Sequence, residues 1–373
     1  MSRASRAAVV GLLAGAACLS SGAASQATSV SAQQNGKLVS TAIDSLSFVP
    51  RSDEAWALGS VDGARSHPSF ALRRRGGRWV REPLVAGINK QLVAIAAGSK
   101  HSIWAVGGSG SVDTTPLIER SSGGKFRRVT PDWGINNGRF LSVSASSATN
   151  VWVAGLGATL LRWNGKAWHL RTDDANESAP MTFMSVSSSG PRNVWAIAYI
   201  ADTEGHYLLV HWNGRKWSND PAPSGVALTA IATTSTGRAW AVGYKIVKGI
   251  YYGYASHRDG KRWIGSRVLG GSSQLVSVSA CGAHAFAVGE DHGSTRDAAA
   301  ITEWSDGRWH NETAPHPRIT SSLDAVAASS PNSAIAGGED QGARVDGVHV
   351  THNLAVQFTG HGWSTMGIPK VRS

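Results

Sequence analysis

The chain has 373 residues, 42% of them hydrophobic and 16% charged, with a formal net charge of +11. A length of this order suggests two or three domains, but one array of similar segments running from residue 46 to 369 excludes that division. The positive balance favours anionic partners in general, and no nucleic-acid-binding motif accompanies it.

Residues 1–32 differ in kind from the rest. Arg3 and Arg6 precede the apolar run Ala7 to Ala17, and a small, polar Ser/Ala/Gln stretch follows. This is the order of a secretory signal peptide. The run is too short to cross a bilayer, which takes about 20 residues. Val30-Ser31-Ala32 is the favoured cleavage site, and residues 33–45 are read as a short linker to a single domain at 46–373. The alternative is a lipid anchor on Cys18, which follows the small residues Ala16 and Ala17. Loss of the leader leaves a net charge of +9 and Cys281 as the only thiol, so packing rather than disulfides must stabilise the exported protein.

In chain order, each repeat opens with an alternating segment such as Leu92-Val93-Ala94-Ile95-Ala96, Phe140-Leu141-Ser142-Val143-Ser144 or Leu323-Asp324-Ala325-Val326-Ala327. Period-2 patterning over so short a span predicts a strand, and the small Ala/Ser positions suit a crowded innermost one. A second strand follows, written Ala55-Trp56-Ala57-Leu58-Gly59 in the first repeat. Its anchors at 56, 104, 152, 195, 240, 286 and 335 fall 43 to 49 residues apart. Third and fourth strands then flank an Asn-Gly or Asp-Gly turn, as in Leu160 to Trp168 and Ile301 to Trp309. These slots absorb 14 of the 15 Trp, leaving only Trp133 outside the pattern. Large aromatics at a fixed repeat position are read as packing between blades.

The pattern predicts an all-β, seven-bladed β-propeller with four antiparallel strands per blade, in which blade 7 packs on blade 1 to close the ring. The order of inner strand, Trp strand ending in Gly, aromatic third strand, Gly turn and Trp resembles the kelch repeat of galactose-oxidase-type propellers, in a bacterial exported form. The paired glycines that end the kelch Trp strand survive only at Gly107-Gly108 and Gly337-Gly338, and Trp163, Trp212, Trp304 or Phe358 stands in place of the kelch third-strand Tyr. The resemblance implies the ring and little about chemistry.

Strand alternation puts the turns between strands one and two and between strands three and four on one face. The links between blades and the segments between strands two and three lie on the other. The second face varies in length, which is where repeat proteins place recognition. Its longer segments, read as loops, carry Asp62 and His67 in blade 1, Asp291 and His292 in blade 6, and Glu339 and Asp340 in blade 7. Tyr251 and Tyr252 in blade 5 and Trp133 in the link between blades 2 and 3 add aromatic surfaces. The tight-turn face is basic, with Arg73 to Arg75, Arg215, Lys216 and Arg308 among its residues.

These features point to a monomeric, exported, non-catalytic binding protein. Its partner is an extracellular glycan, an anionic envelope polymer or a protein. The alternative is an extracellular glycan-active enzyme, oxidase- or glycosidase-like, on the same fold. No catalytic residue, metal or cofactor is assigned, because neither a copper-type Tyr/His/Cys set nor a general acid/base pair is identifiable. N-terminal sequencing of the secreted protein should find a start between Ser25 and Gln34, whereas a lipid on Cys18 would make the protein membrane-tethered.

Overall fold

The computed structural model describes residues 40–62, 69–85, 90–109, 115–131, 138–170, 181–202, 205–260, 262–292, 297–315, 320–345 and 348–369. They form seven four-stranded antiparallel sheets, each built from four consecutive strands. Blade 1 holds β1 (Ser40–Phe48), β2 (Ala55–Asp62), β3 (Ser69–Arg75) and β4 (Arg78–Glu82), and blade 2 holds β5 (Lys90–Ser99), β6 (Ser102–Ser109), β7 (Thr115–Ser121) and β8 (Arg127–Arg128). Blade 3 has β9 (Phe140–Ser147), β10 (Asn150–Gly155), β11 (Thr159–Trp163) and β12 (Trp168–Leu170), and blade 4 has β13 (Met181–Gly190), β14 (Asn193–Ile200), β15 (His206–Trp212) and β16 (Trp217–Pro221). In blade 5 come β17 (Val226–Thr233), β18 (Ala239–Val247), β19 (Ile250–Asp259) and β20 (Arg262–Gly271). Blade 6 contributes β21 (Ser273–Cys281), β22 (His284–His292), β23 (Asp297–Ser305) and β24 (Arg308–Glu312), and blade 7 ends the order with β25 (Ser321–Ser330), β26 (Ser333–Val345), β27 (Val348–Phe358) and β28 (Trp363–Thr365).

The fold is the seven-bladed β-propeller. Each inner strand touches the next around the ring, and β25 touches β1 to complete it. No strand is exchanged between the first and last blades among the described residues. Instead Ile335 of blade 7 shares a core with Ile43, Phe70 and Trp79 of blade 1, joined by Met366 and Ile368 after the last strand. Thr351 N and Asn353 N donate to Ser40 Oγ and Thr41 Oγ1 across this seam, each at 3.2 Å. The first blade begins by Ser40, so the segment from Ser40 to Ser45 belongs to the ring rather than to a linker.

Two interactions repeat between blades. The second-strand Trp56, Trp104, Trp152 and Trp195 are at most 1% exposed. Each meets the fourth-strand aromatic of the next blade edge-on, as Phe286 also does with Trp363, at 5.2–5.8 Å and 81–86°. The opposite face of each Trp is covered from its own third strand: Arg73 lies 5.5 Å from the Trp56 ring, Arg120 4.8 Å from Trp104 and Arg162 5.6 Å from Trp152, and His211 stacks on Trp195 at 4.2 Å. Nearer the axis, inner-strand serines accept hydrogen bonds from the backbone of the following blade. Ile95 N and Ala97 N donate to Ser45 Oγ and Ser47 Oγ, and equivalent pairs join blades 3 to 4, 4 to 5 and 6 to 7, at 2.9–3.3 Å. The hydroxyls occupy donors that an edge strand would otherwise leave open. Blades 2, 5 and 7 carry alanines at the matching positions (Ala94 and Ala96, Ala230 and Ala232, Ala325 and Ala327).

A β-bulge recurs at one place in every inner strand, skipping Asp44, Val93, Leu141, Met184, Thr229, Val276 and Asp324. It explains the glycine that closes the Trp strand. A Cβ on Gly59, Gly107, Gly155, Gly243, Gly289 or Gly338 would strike the carbonyl oxygen of the inner-strand residue two before the bulge. Blade 4 alone holds Ala198 there. The turns differ in mechanism. Asp306 and Gly307 both adopt positive φ, at 49° and 79°. At Asn164-Gly165 only the glycine does, and Asn164 Oδ1 accepts from Lys166 N and Ala167 N.

Trp152 is fully buried, while Trp168 is only half-buried. Trp152→Ala should therefore destabilise the protein by about 3–5 kcal/mol in urea unfolding, and Trp168→Ala by distinctly less.

Candidate ligand-binding face

On the variable face, the segments expected as loops are paired strands that rise as tall hairpins. In blade 5, pairing continues to Val247 opposite Ile250, and Lys248 and Gly249 take positive φ at 51° and 78°, as a two-residue hairpin turn requires. Blade 7 pairs as far as Val345 opposite Val348, and blade 6 as far as His292 opposite Asp297. Blade 3 stops at Gly155 opposite Thr159. Tyr251, Tyr252, Asp291, His292, Glu339 and Asp340 thus lie in strands, as does Asp62, which pairs with Ser40. Polar residues at these positions hide the strand pattern, even where the side chain is buried, as it is at Glu290 and Asp340. The side chain of Asp62 and all of His67 and Trp133 lie outside the described residues.

Strand alternation separates the predicted acidic residues. Neighbours in a strand point to opposite faces, so Glu339 and Asp340 diverge, as do Glu290 and Asp291. His292 Nε2 lies 3.2 Å from Glu290 Oε1, and Gln274 Nε2 donates to the same oxygen. Asp340 is 7% exposed.

The acids close enough to act on one another electrostatically are Asp324 of blade 7 with Glu339 of the same blade, Asp44 of blade 1 and Glu290 of blade 6. Asp324 holds its proton well above the usual carboxylate range. Burial is the main cause, followed by the negative charges of Glu339, Asp44 and Glu290, against an opposing hydrogen bond from Ser322. Asp324 retains some accessible surface although protein surrounds it, as expected of a group at the narrow axis of the ring. Ser60 Oγ donates to Asp44 Oδ1 at 3.2 Å. Asp44 also acts on Arg139 of blade 3, whose guanidinium is pulled down by burial, supported by Asp44, and bonded through Nη2 to Gln91 Oε1 at 2.7 Å. Asp44 sits in β1, whose contacts with β5 and β25 place it in the inner circle of strands. Asp44 and Asp324 occupy the bulge, where four other blades place Val93, Leu141, Met184 and Val276. That departure within Leu323-Asp324-Ala325 is the sequence signal that marks them.

Across the mouth, blades 4 and 5 carry tyrosines. Tyr199 and Tyr207 are cross-strand partners with rings 5.1 Å apart, and Tyr244 and Tyr251 lie 5.2 Å apart. Burial, then the neighbouring Tyr244 and Tyr199, pushes the Tyr207 hydroxyl far up. Tyr252 lies beneath Arg267 at 4.8 Å, and Tyr254 is buried in the core. The hairpin tip exposes Ile246, Ile250 and Tyr251, each over 40% accessible. Neither Tyr199 nor Tyr207 stands out in the sequence, because each sits within an otherwise ordinary strand.

Among the described residues no group of three or more His, Cys, Asp or Glu is arranged to hold a metal ion. Cys281 is a free, half-buried thiol at the blade 6 turn, raised by burial, with Sγ 3.6 Å from Ser329 O.

No family model and no curated protein matches the chain. Among solved structures it is similar to YCF48 from Cyanidioschyzon merolae, with 16% identity over 86% of this chain and 98% of that one and a TM-score of 0.54. The GH74 xyloglucanase from Xanthomonas campestris gives 13% identity over 85% of this chain and 58% of that one, with a TM-score of 0.56. A structure of YCF48 bound to D1 peptide gives 15% identity over 77% and 82%, with a TM-score of 0.50. At these identities the likeness shows the fold.

Because folding raises the Asp324 pKa, the native state binds more protons than the unfolded one between the unfolded value, about 3.9, and the native value. Stability must therefore fall as pH rises through that window. Asp324→Asn removes the term, so its urea midpoint should gain on the parent's as pH is raised from about 4 toward neutrality.

Proposed function

We propose that the protein is an exported, non-catalytic binding propeller, a distant relative of the kelch-like repeats, that takes a polypeptide segment bearing apolar and basic side chains across its variable face. The observation that carries this reading is the make-up of the variable face: Ile246, Ile250 and Tyr251 are exposed beside a tyrosine cluster in blades 4 and 5, and acidic side chains gather in blades 6, 7 and 1. Tyrosine and aliphatic side chains on a rigid hairpin offer apolar contact with little entropy to lose, and carboxylates select cationic partners. The leader-like N-terminus supports an extracellular setting, and the peptide held by YCF48 is in keeping with such use of the fold.

The test is an array of peptides varied in charge and hydrophobicity, probed with the mature protein. Retention should favour peptides that combine Lys or Arg with aromatic or aliphatic residues. The pair Ile246→Ser and Tyr251→Ser should weaken retention by about tenfold or more, with a thermal midpoint close to the parent's. Undiminished retention by this variant would refute the reading.

A further inference from the structure

The seam between blades 5 and 6 is packed differently from its neighbours. Trp240 is as buried as the other second-strand tryptophans, yet among the described residues no aromatic ring meets it edge-on, and Trp309, the outer-strand aromatic of blade 6, makes its ring contact with Trp304 of its own blade at 5.6 Å. The seam is walled instead by the outer strand of blade 5. That strand, β20, has 10 residues, whereas the other six outer strands have two to five. Between β20 and β24 lies a cavity of about 410 Å³, bordered by His257, Ile264, Ser266, Trp304, Trp309 and Asn311 among others. That volume suits a small-molecule site.

Strand pairing decides which side chains turn into it. Ala255 and Trp304 belong to the core that holds Trp240, so their cross-strand partners Ser266 and Trp309 face the same seam. Two positions along the strands, His257 with its partner Ile264, and Asn311, share that face. The cations turn away. Arg267 is paired with Tyr254, which packs in the core shared with blade 4, and lies over the Tyr252 ring at 4.8 Å, while Arg308 Nε reaches His310 Nε2 at 3.2 Å on the other side of β24. Burial pushes His257 down against the opposing pull of Asp259, leaving it an uncharged ring at neutral pH. The groups turned into the cavity are thus neutral. Trp304, Trp309 and Ile264, the last 45% exposed, supply apolar surface beside a hydroxyl, an amide and an imidazole.

The geometry points to a binding site for a neutral saccharide in the groove between blades 5 and 6. A pyranose ring has an apolar C–H face to lay on the Trp309 and Ile264 side and a periphery of hydroxyls. Each hydroxyl both donates and accepts, as do the Ser266 hydroxyl, the Asn311 amide and the neutral His257 imidazole. A charged sugar finds no opposite charge turned toward it, and an unpaired charge is costly to desolvate. The site is independent of the peptide rim.

Calorimetric titration of the mature protein tests the assignment. The probes are the neutral trisaccharides of glucose, galactose and mannose, a galacturonic acid trisaccharide, and N-acetyltryptophanamide as an uncharged aromatic that is not a sugar. At least one neutral trisaccharide should bind with a Kd below about 1 mM, and at least about tenfold more tightly than the acidic trisaccharide and the amide. Ser266 and Asn311 are exposed, so the pair Ser266→Ala and Asn311→Ala should cost about tenfold or more in affinity with an unchanged melting temperature. Trp309→Leu should abolish binding, and the exposed pair keeps the test decisive if that variant does not fold. Arg267→Gln with Arg308→Gln should cost nothing, and neither should Ile246→Ser with Tyr251→Ser. This last variant separates failure here from failure of the rim. Binding of the acidic saccharide or the aromatic amide within that tenfold margin would overturn the assignment. So would full binding by the Ser266/Asn311 variant, loss of binding in the Arg267/Arg308 variant, or no binding of any neutral trisaccharide at millimolar concentration.

Discussion

The ring depends on the edge-on contact between the buried Trp of one blade and the outer-strand aromatic of the next. A blade is a flat, twisted sheet that cannot cover its own faces, so each Trp is buried only once a neighbour arrives. Offset and edge-on aromatic pairs add roughly 0.5–1.5 kcal/mol each beyond the area they bury. The cation or imidazole from the third strand seals the other side of the ring. The contact is iterated around the circle, so closure needs no exchanged strand. Apolar packing of Ile335, Met366 and Ile368 on blade 1 and two side-chain hydrogen bonds complete the last seam.

The second constraint acts near the axis. Seven inner strands converge, each with a bulge, and in six blades the bulge presses one carbonyl against the closing glycine of the Trp strand. In those six blades the glycine answers a close backbone approach rather than serving as a flexible joint, and blade 4 keeps the bulge with Ala198. Where the bulge holds Val, Leu or Met it serves packing. Where it holds Asp44 and Asp324 it places ionisable groups under the influence of Glu290 and Glu339, and Asp324 responds by keeping its proton. That arrangement costs the fold stability, which is the usual mark of a position kept for something other than packing.

The scaffold was legible because its signals are local and repeated. Trp at a fixed offset, alternating inner strands and Gly turns survive substitution in any single blade, even where Phe286 or Ile335 replaces the Trp. The face was less legible, for three physical reasons. Hairpins that stand clear of the ring lose the apolar alternation that betrays a strand, so Glu339 to Asn353 reads as loop although strands from Glu339 to Val345 and from Val348 to Asn353 pair there around one bulge. Convergence of Asp44, Glu290, Asp324 and Glu339 depends on the closure of the circle, which no local window contains. The lateral groove follows from the length of β20, whose continuation through Gly270 and Gly271 resembles a link between blades.

The central claim is that the ring is a scaffold and that a polypeptide lies across the rim of the variable face. Hydrogen exchange on the mature chain, with and without the most strongly retained array peptide, tests it most directly. The account predicts slowed exchange in the β18–β19 and β26–β27 hairpins and unchanged exchange in the tight turns at Asn164-Gly165 and Asp306-Gly307. Protection confined to those turns, with the hairpins unaltered, would contradict it.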